Sequence, residues 1–274
     1  MKYFQLLIIA TIFISGCEPK PTVVIPEKKT PHRTQEYLLA STLFVQHSAE
    51  YKALCYQAFQ TAQMRLEQIV ANGPEKPAVV LDIDETVLDN SAYSAWQIER
   101  NQPYSPETWE KWTNLAVARE VPGAGEFLRY ADSLGVTIFY ISNRDSAALK
   151  PTIKNMAELN LPQLKEEQFM LKTTTSGKGE RRAKVAEMGY EIVMLIGDNL
   201  GDFDERWDKQ SNGKRGEIKF ADRTRFGVEY IVLPNPIYGT WEGEIYQFKR
   251  DWADDELDSL RHSALLPAPI GSGN

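Results

Sequence analysis

Short runs of β-branched and aliphatic residues alternate along this chain with stretches in which apolar residues recur every third or fourth position. The runs AVVLDI (78–83), VTIFYIS (136–142), QFML (168–171), IVMLIG (192–197) and EYIVL (229–233) predict strands. Between them AGEFLRYADSLG and GERRAKVAEMG predict helices, each closed by a glycine, Gly135 and Gly189. Strands apolar along their whole length and separated by helices predict an α/β fold with a parallel sheet covered on both faces. From residue 34 to 75 the apolar spacing (Leu38, Leu39, Leu43, Phe44, then Tyr51, Leu54, Cys55, Phe59) predicts two helices ahead of a core over 76–240. Within that core, 90–120 has little strand character and many aromatics (Tyr93, Trp96, Tyr104, Trp109, Trp112), so it predicts a helical cap. Residues 241–262 predict one helix, expected to pack with the N-terminal ones, and 263–274 a flexible tail.

The start of the chain has another character. MKYFQLLIIATIFISGC carries one basic residue, Lys2, then an apolar run and small residues before Cys17, the pattern of a secretory signal over 1–16. Its ISGC ending resembles the bacterial lipobox, which implies lipidation of Cys17. Glu18 in the next position implies sorting to the outer membrane, with the folded part periplasmic or surface-exposed. The Pro- and Lys-rich 17–33 predicts an extended tether. The second cysteine, Cys55, lies in a helical pattern and is expected to be a buried, inert thiol.

The chain has 274 residues and a formal charge of −7, which becomes −8 once Lys2 leaves with the signal segment. That balance provides no basic surface for nucleic acid and no polybasic membrane patch. A small-molecule partner remains the default; the oligomeric state is not legible.

In an open parallel sheet, ligands bind beyond the carboxyl ends of the strands. The polar residues at those ends are therefore expected to converge: Asp82 and Asp84 after the first strand, Ser142 and Asn143 after the second, Asp198 and Asp202 after the fourth. Carboxylates this close repel unless a cation or proton offsets them. A hard, oxygen-rich site of Asp82, Asp84, Asp198 and Asp202 suits Mg²⁺, one per active site. No twelve-residue calcium loop is present. His32, His47 and His262 fall in the tether and helical termini, where a zinc site is not expected. A strand-end carboxylate such as Asp82 can attack phosphorus, and a carboxyl two residues on, Asp84, can protonate the leaving oxygen and then activate water. Ser142, the amides after it and a lysine would offset the charge of the phosphoryl group.

Four segments in order, DIDET, SNR, TSGKGERR and GDNLGDF, resemble the motifs of the haloacid dehalogenase (HAD) superfamily. The D-x-D-E-T and G-D-N-L-x-D-F forms, with a lipoprotein signal, resemble within it the class C acid phosphatases of bacteria. The resemblance spans roughly Tyr37 to Trp252. It implies a Rossmann-like HAD core with a small helical cap, and a magnesium-dependent phosphomonoesterase acting through an aspartyl-phosphate. It makes Asp82 the nucleophile and Asp84 the general acid/base. Asp198 ligates the metal with Asp82 and the Asp84 carbonyl, and Asp202 supports that shell. Ser142, Asn143 and a lysine hold phosphate. Lys178 matches the S-x-K position; Lys172 is the alternative, and Lys184 reads as a solvated helix residue. Substrates implied are 5'-nucleotides, and by extension nicotinamide mononucleotide, with the base stacked on Trp109 and Tyr238, while Trp96 and Trp112 read as core. Glu85 and Asp89 are assigned supporting roles. Two other readings compete. A dehalogenase would not need Asp84, and a non-catalytic, for example haem-binding, surface lipoprotein would tolerate loss of Asp82 or Asp84, yet both are present.

Overall fold

A computed structural model describes residues 33–249 and 251–268. The signal segment, Cys17, the tether, His32 and the last six residues lie outside the described residues. In chain order the strands are β1 (Pro77–Leu81), β2 (Leu88–Asp89), β3 (Arg119–Glu120), β4 (Thr137–Asp145), β5 (Phe169–Lys172), β6 (Glu191–Gly197) and β7 (Tyr230–Val232). Five of them form one sheet in the order β5-β4-β1-β6-β7 with every pairing parallel. The chain leaves β1 toward β4 on one side and later returns to β6 on the other, so the order reverses at β1. A crevice opens at such a switch point, past the C-terminal end of that strand.

Period-two alternation sorts the sheet's side chains onto its two faces. Val79, Leu81, Ile138, Tyr140, Met194 and Ile196 belong to one apolar cluster with Phe59, Leu66 and Phe127 from the helices. Ala78, Val80, Phe139, Ile141 and Leu195 belong to a second with Val185, Phe203, Trp207 and Tyr230. Both faces are buried, which explains why the strands read as unbroken apolar runs. A Leu-to-Ala change at a site as enclosed as Leu81 costs about 2–5 kcal/mol.

The helices follow from capping and spacing. α1 (Leu39–His47) is short, and Ser48 then caps α2 (Ala49–Ala71) by accepting from the Tyr51 amide. Along α2 the buried residues Tyr51, Cys55, Phe59, Ala62 and Leu66 repeat at three- and four-residue steps. Two cap helices follow, α3 (Ser91–Arg100) and α4 (Pro106–Leu115), the latter with Ser105 as N-cap and proline in its first turn. The predicted insertion leaves the core through β2 and returns through β3, which pair antiparallel, so a two-stranded ribbon closes its base. After it come α5 (Ala124–Ser133), α6 (Leu149–Glu158), α7 (Gly179–Glu187) and α8 (Asn212–Ala221). Gly135 and Gly189 close α5 and α7 with φ of +72° and +84°, the left-handed region glycine enters without strain.

Two expectations need correcting. β4 runs past the predicted end at Ser142 to Asp145, through an irregular register against β5. The predicted 241–262 helix is two helices, α9 (Thr240–Ile245) and α10 (Asp254–Ser263). The break comes where Gln247 and Phe248 both take positive φ and the Phe248 amide closes back on the Gly243 carbonyl. Trp252 then donates its indole N–H to the Tyr246 carbonyl, fixing the linker. The expected packing on the N-terminal region is present, with the Arg261 guanidinium 3.5 Å from the centre of the Tyr37 ring. No helix among the described residues is long and apolar enough to cross a membrane.

Candidate active site

β1 delivers its polar end in a defined pose. The Asp82 amide still donates to Ile196 O at 3.0 Å, as a sixth sheet residue would, and the chain then turns. Glu85 takes φ of +58°, and its amide closes on Leu88 O, so DIDETVL folds as a tight loop rather than a continuing strand. A left-handed glutamate is uncommon and needs to be held. Its buried carboxylate does so, accepting from the Asn90 amide at 2.9 Å and from the Tyr238 hydroxyl.

Lys178 Nζ lies 2.5 Å from Asp82 Oδ1 and 2.7 Å from Asp202 Oδ1. Of the three candidate lysines it is the one in the cluster: Lys172 ends β5, in register with Asp145, and Lys184 is exposed on α7. Asp82, Asp198 and Asp202 each offer an oxygen within 4.8 Å of the others. Asp198 is held by Asn235 Nδ2 at 2.8 Å, and Asp202 Oδ2 by the Asn199 amide at 2.9 Å.

The aspartate that follows is held differently. Asp84 Oδ1 accepts from Arg144 Nη2 at 2.8 Å, Asn90 Nδ2 at 2.9 Å and Arg144 Nε at 3.0 Å. Its Oδ2 is approached by Arg144 Nε at 3.2 Å and by the Ser142 hydroxyl at 3.4 Å. Ser142 Oγ also accepts from the Arg144 amide, so this hydroxyl sits at the end of β4 facing the acidic loop. Asn143 points outward, and its Oδ1 accepts from Arg181 Nη2 at 2.7 Å. Arg181 also donates to the Ser142, Ser176 and Gly177 carbonyls, tying the end of β4 to the loop that carries Lys178.

The electrostatics are those of a site short of positive charge. Burial, then the repulsion of Asp202 and Asp84, outweigh the opposing pull of Lys178 and push Asp82 up to about 7. Burial, followed by Asp202 and Asp82, holds Asp198 well above the usual carboxylate range. Glu85 is raised in the same way, by burial first and then by Asp84 and Asp198. Lys178 stays charged: burial lowers it, but Asp202 and Asp82 together more than offset that and raise it. Of the five carboxyl groups here (Asp82, Asp84, Glu85, Asp198, Asp202), Asp82 and Asp202 are ion-paired with Lys178 and Asp84 with Arg144. The three clustered aspartates form an all-oxygen donor set with uncompensated charge, which fits a divalent cation.

The cap reaches the site through aromatic residues. Trp109 packs edge-on to Tyr93 and tilted against Tyr104, and the Arg144 guanidinium lies 6.0 Å from its ring centre. Trp112 packs on the core and donates its indole N–H to Asn90 Oδ1 at 2.8 Å, and Trp96 stacks on Tyr93. Tyr238 reaches the acidic loop from the other side of the chain, through Glu85.

A family model described as HAD superfamily, subfamily IIIB (Acid phosphatase), matches residues 15–241. The chain belongs to this acid phosphatase family. Among solved structures, the class C acid phosphatase of Bacillus anthracis superposes with a TM-score of 0.83 at 40% identity, covering 86% of this chain and 99% of that one. The same enzyme with tungstate bound gives a TM-score of 0.82 at 39% identity, with the same coverage. More distant relatives are plant proteins. The stem 28 kDa glycoprotein of Glycine max is 26% identical over 78% of this chain and 76% of its own length. Acid phosphatase 1 of Solanum lycopersicum is 24% identical over 45% of this chain and half of its own length. The family's class C members are HAD phosphoric monoester hydrolases, and the parallel sheet flanked by helices is their fold.

Several residues of this acid phosphatase site were not legible in sequence. Arg144, the last residue of SNR, stands two residues after Ser142 on one strand and so shares its face, the one local signal of its place in the site. Asn235 and Arg181 carried no signal of their own, because each acts on a group distant in sequence, while Asn90 reaches Asp84 only six positions back because the turn at Glu85 folds the loop onto itself.

Proposed function

We propose that this acid phosphatase is a Mg²⁺-dependent phosphomonoesterase that releases phosphate from 5'-nucleotides, nicotinamide mononucleotide among them, through an aspartyl-phosphate on Asp82. The observation that carries this reading is Lys178 Nζ at 2.5 Å from Asp82, inside a ring closed by Asp198 and Asp202 at the switch point of the sheet. The Bacillus anthracis enzyme has a structure with tungstate bound, a tetrahedral oxyanion like phosphate, which supports a phosphate-ester ligand for this protein.

A carboxylate oxygen of Asp82 attacks phosphorus in line with the ester oxygen. The P–O bond to the alcohol breaks as Asp84 gives its proton to the departing oxygen. Lys178 and Ser142 hold the phosphoryl oxygens, where the developing charge is greatest. Asp84, now ionised, takes a proton from water; the hydroxide attacks the same phosphorus, freeing inorganic phosphate and restoring the Asp82 carboxylate. Asp82, Asp198 and Asp202 would hold the Mg²⁺, which screens the repulsion between the phosphate and the nucleophile. Trp109 and Tyr238 form the platform for the base, since every base has a π-face. Cys17 anchors the enzyme by lipid in the bacterial outer membrane, where nucleotides lose phosphate before uptake as nucleosides.

The test is phosphate release from 5'- and 3'-nucleotides, nicotinamide mononucleotide and sugar phosphates, with Mg²⁺ and with EDTA. Release that needs the metal and favours 5'-nucleotides is the expected result. Equal release from every ester removes the base platform, and none from any ester removes the reading. Cys17→Ala should move the protein from the membrane to the soluble fraction; unchanged fractionation would exclude the lipid anchor.

A further inference from the structure

Arg144 is almost wholly enclosed, 2% exposed, so it has no face with which to touch a substrate. Two of its donors nevertheless converge on one carboxylate. Nε and Nη2 form a fork on Asp84, Nη1 is anchored by Thr152 Oγ1 at 3.0 Å, and Nη2 also reaches Asn90 Oδ1 at 3.5 Å. A guanidinium fork is planar and fixes the plane of the carboxylate it grips, which a lysine cannot do.

The grip is unequal on the two oxygens. Asp84 Oδ1 is saturated by three donors at 2.8, 2.9 and 3.0 Å. Oδ2 has only longer contacts, 3.2 and 3.4 Å. A proton on Oδ1 would meet three N–H groups pointed at it, whereas Oδ2 has room for one. Arg144 also joins Asp84 to the cap. Asn90 begins α3 and accepts from Trp112, and the Trp109 ring lies within cation–π range of the guanidinium.

We propose that Arg144 is a positioning residue that locks the Asp84 carboxyl so that Oδ2 carries the proton to the leaving oxygen, and that it ties this aim to the seating of the cap. The proposal rests on the reading of Asp84 as general acid and adds the device that orients it.

A general acid matters most when the leaving group departs poorly. Phenyl phosphate needs a proton on its leaving oxygen; dinitrophenyl phosphate departs as a stable anion and does not. kcat/KM reports the steps up to the first irreversible one, so it isolates ester cleavage from hydrolysis of the phospho-enzyme. In Arg144→Lys, kcat/KM for phenyl phosphate is expected to fall on the order of 10²-fold while that for dinitrophenyl phosphate changes by less than about threefold. Thr152→Val keeps the side-chain shape but releases Nη1, and should show the same selectivity more weakly; it carries the test if the Arg144 variant does not fold. Equal losses on both esters, in proteins of unchanged melting temperature, would make Arg144 structural and overturn the proposal. So would no loss on either. Asp84→Asn runs alongside. If it too slows both esters equally, Asp84 is not the acid and that reading falls; if it is selective and the Arg144 and Thr152 variants are not, only the positioning role falls.

Discussion

The two aspartates that follow β1 sit two residues apart, yet they are held by different parts of the molecule. Asp82 is gripped from the core, by Lys178 on the loop before α7, which also pairs with Asp202 beyond β6. Asp84 is gripped from the cap side, by Arg144 at the end of β4 and by Asn90 at the root of α3. Period-two alternation would point both side chains the same way if the strand continued. The strand instead ends at Leu81 and the chain bends at Ile83 on its way to the left-handed turn at Glu85, so each aspartate finds its own partner. The lesson is a division of labour: a rigid sheet edge keeps the attacking group with its charge partners, and a separately built cap shares in holding the group that handles protons.

That contrast can be broken from either side. The largest effect is expected from Asp82→Asn, which removes the attacking oxygen's charge but keeps the shape. Activity should fall on the order of 10⁴-fold or more with no loss of melting temperature. Near-normal turnover in that variant would detach the core side of the comparison from catalysis. On the cap side, Trp109→Ala should weaken turnover of a 5'-nucleotide by roughly 5- to 150-fold through loss of about 1–3 kcal/mol of stacking, with a much smaller change on dinitrophenyl phosphate. Parallel losses on both substrates would make the ring structural, and a loss shared with phenyl phosphate but not with dinitrophenyl phosphate would mean that it acts only by supporting Arg144. The smallest effect belongs to the ribbon under the cap. There Arg119 pairs with Asp89 at 3.0 Å but is 66% exposed, so Arg119→Ala should cost no more than about 1 kcal/mol in a denaturant titration. A larger loss would show that the base of the cap is coupled to the core fold.

Legibility divides along the same line. The strands of the sheet were visible as apolar runs because both faces are covered, and each observed strand lies within three residues of the predicted one. The convergence of Asp82, Ser142, Asp198 and Asp202 was visible too, since every parallel strand delivers its C-terminal residue to one edge. The choice of Lys178 rested on a motif spacing, and the geometry places that lysine between Asp82 and Asp202. The role of Arg144 is not legible locally, because an arginine after an apolar run reads as a solvated end and only the enclosure made by Thr152, Asn90 and Trp109 turns it inward. Asn143 shows the converse: it was grouped with Ser142, but alternation points it outward to Arg181.

Sequence by itself determined the α/β class, the parallel sheet and the acidic edge, because these depend on local periodicity and on a rule that holds for any order of parallel strands. Tertiary structure decided which cation holds which carboxylate, where the C-terminal helix breaks, and how Tyr238 meets Glu85 across 153 positions. Those outcomes depend on distances between residues far apart in the chain, and no local pattern encodes such distances.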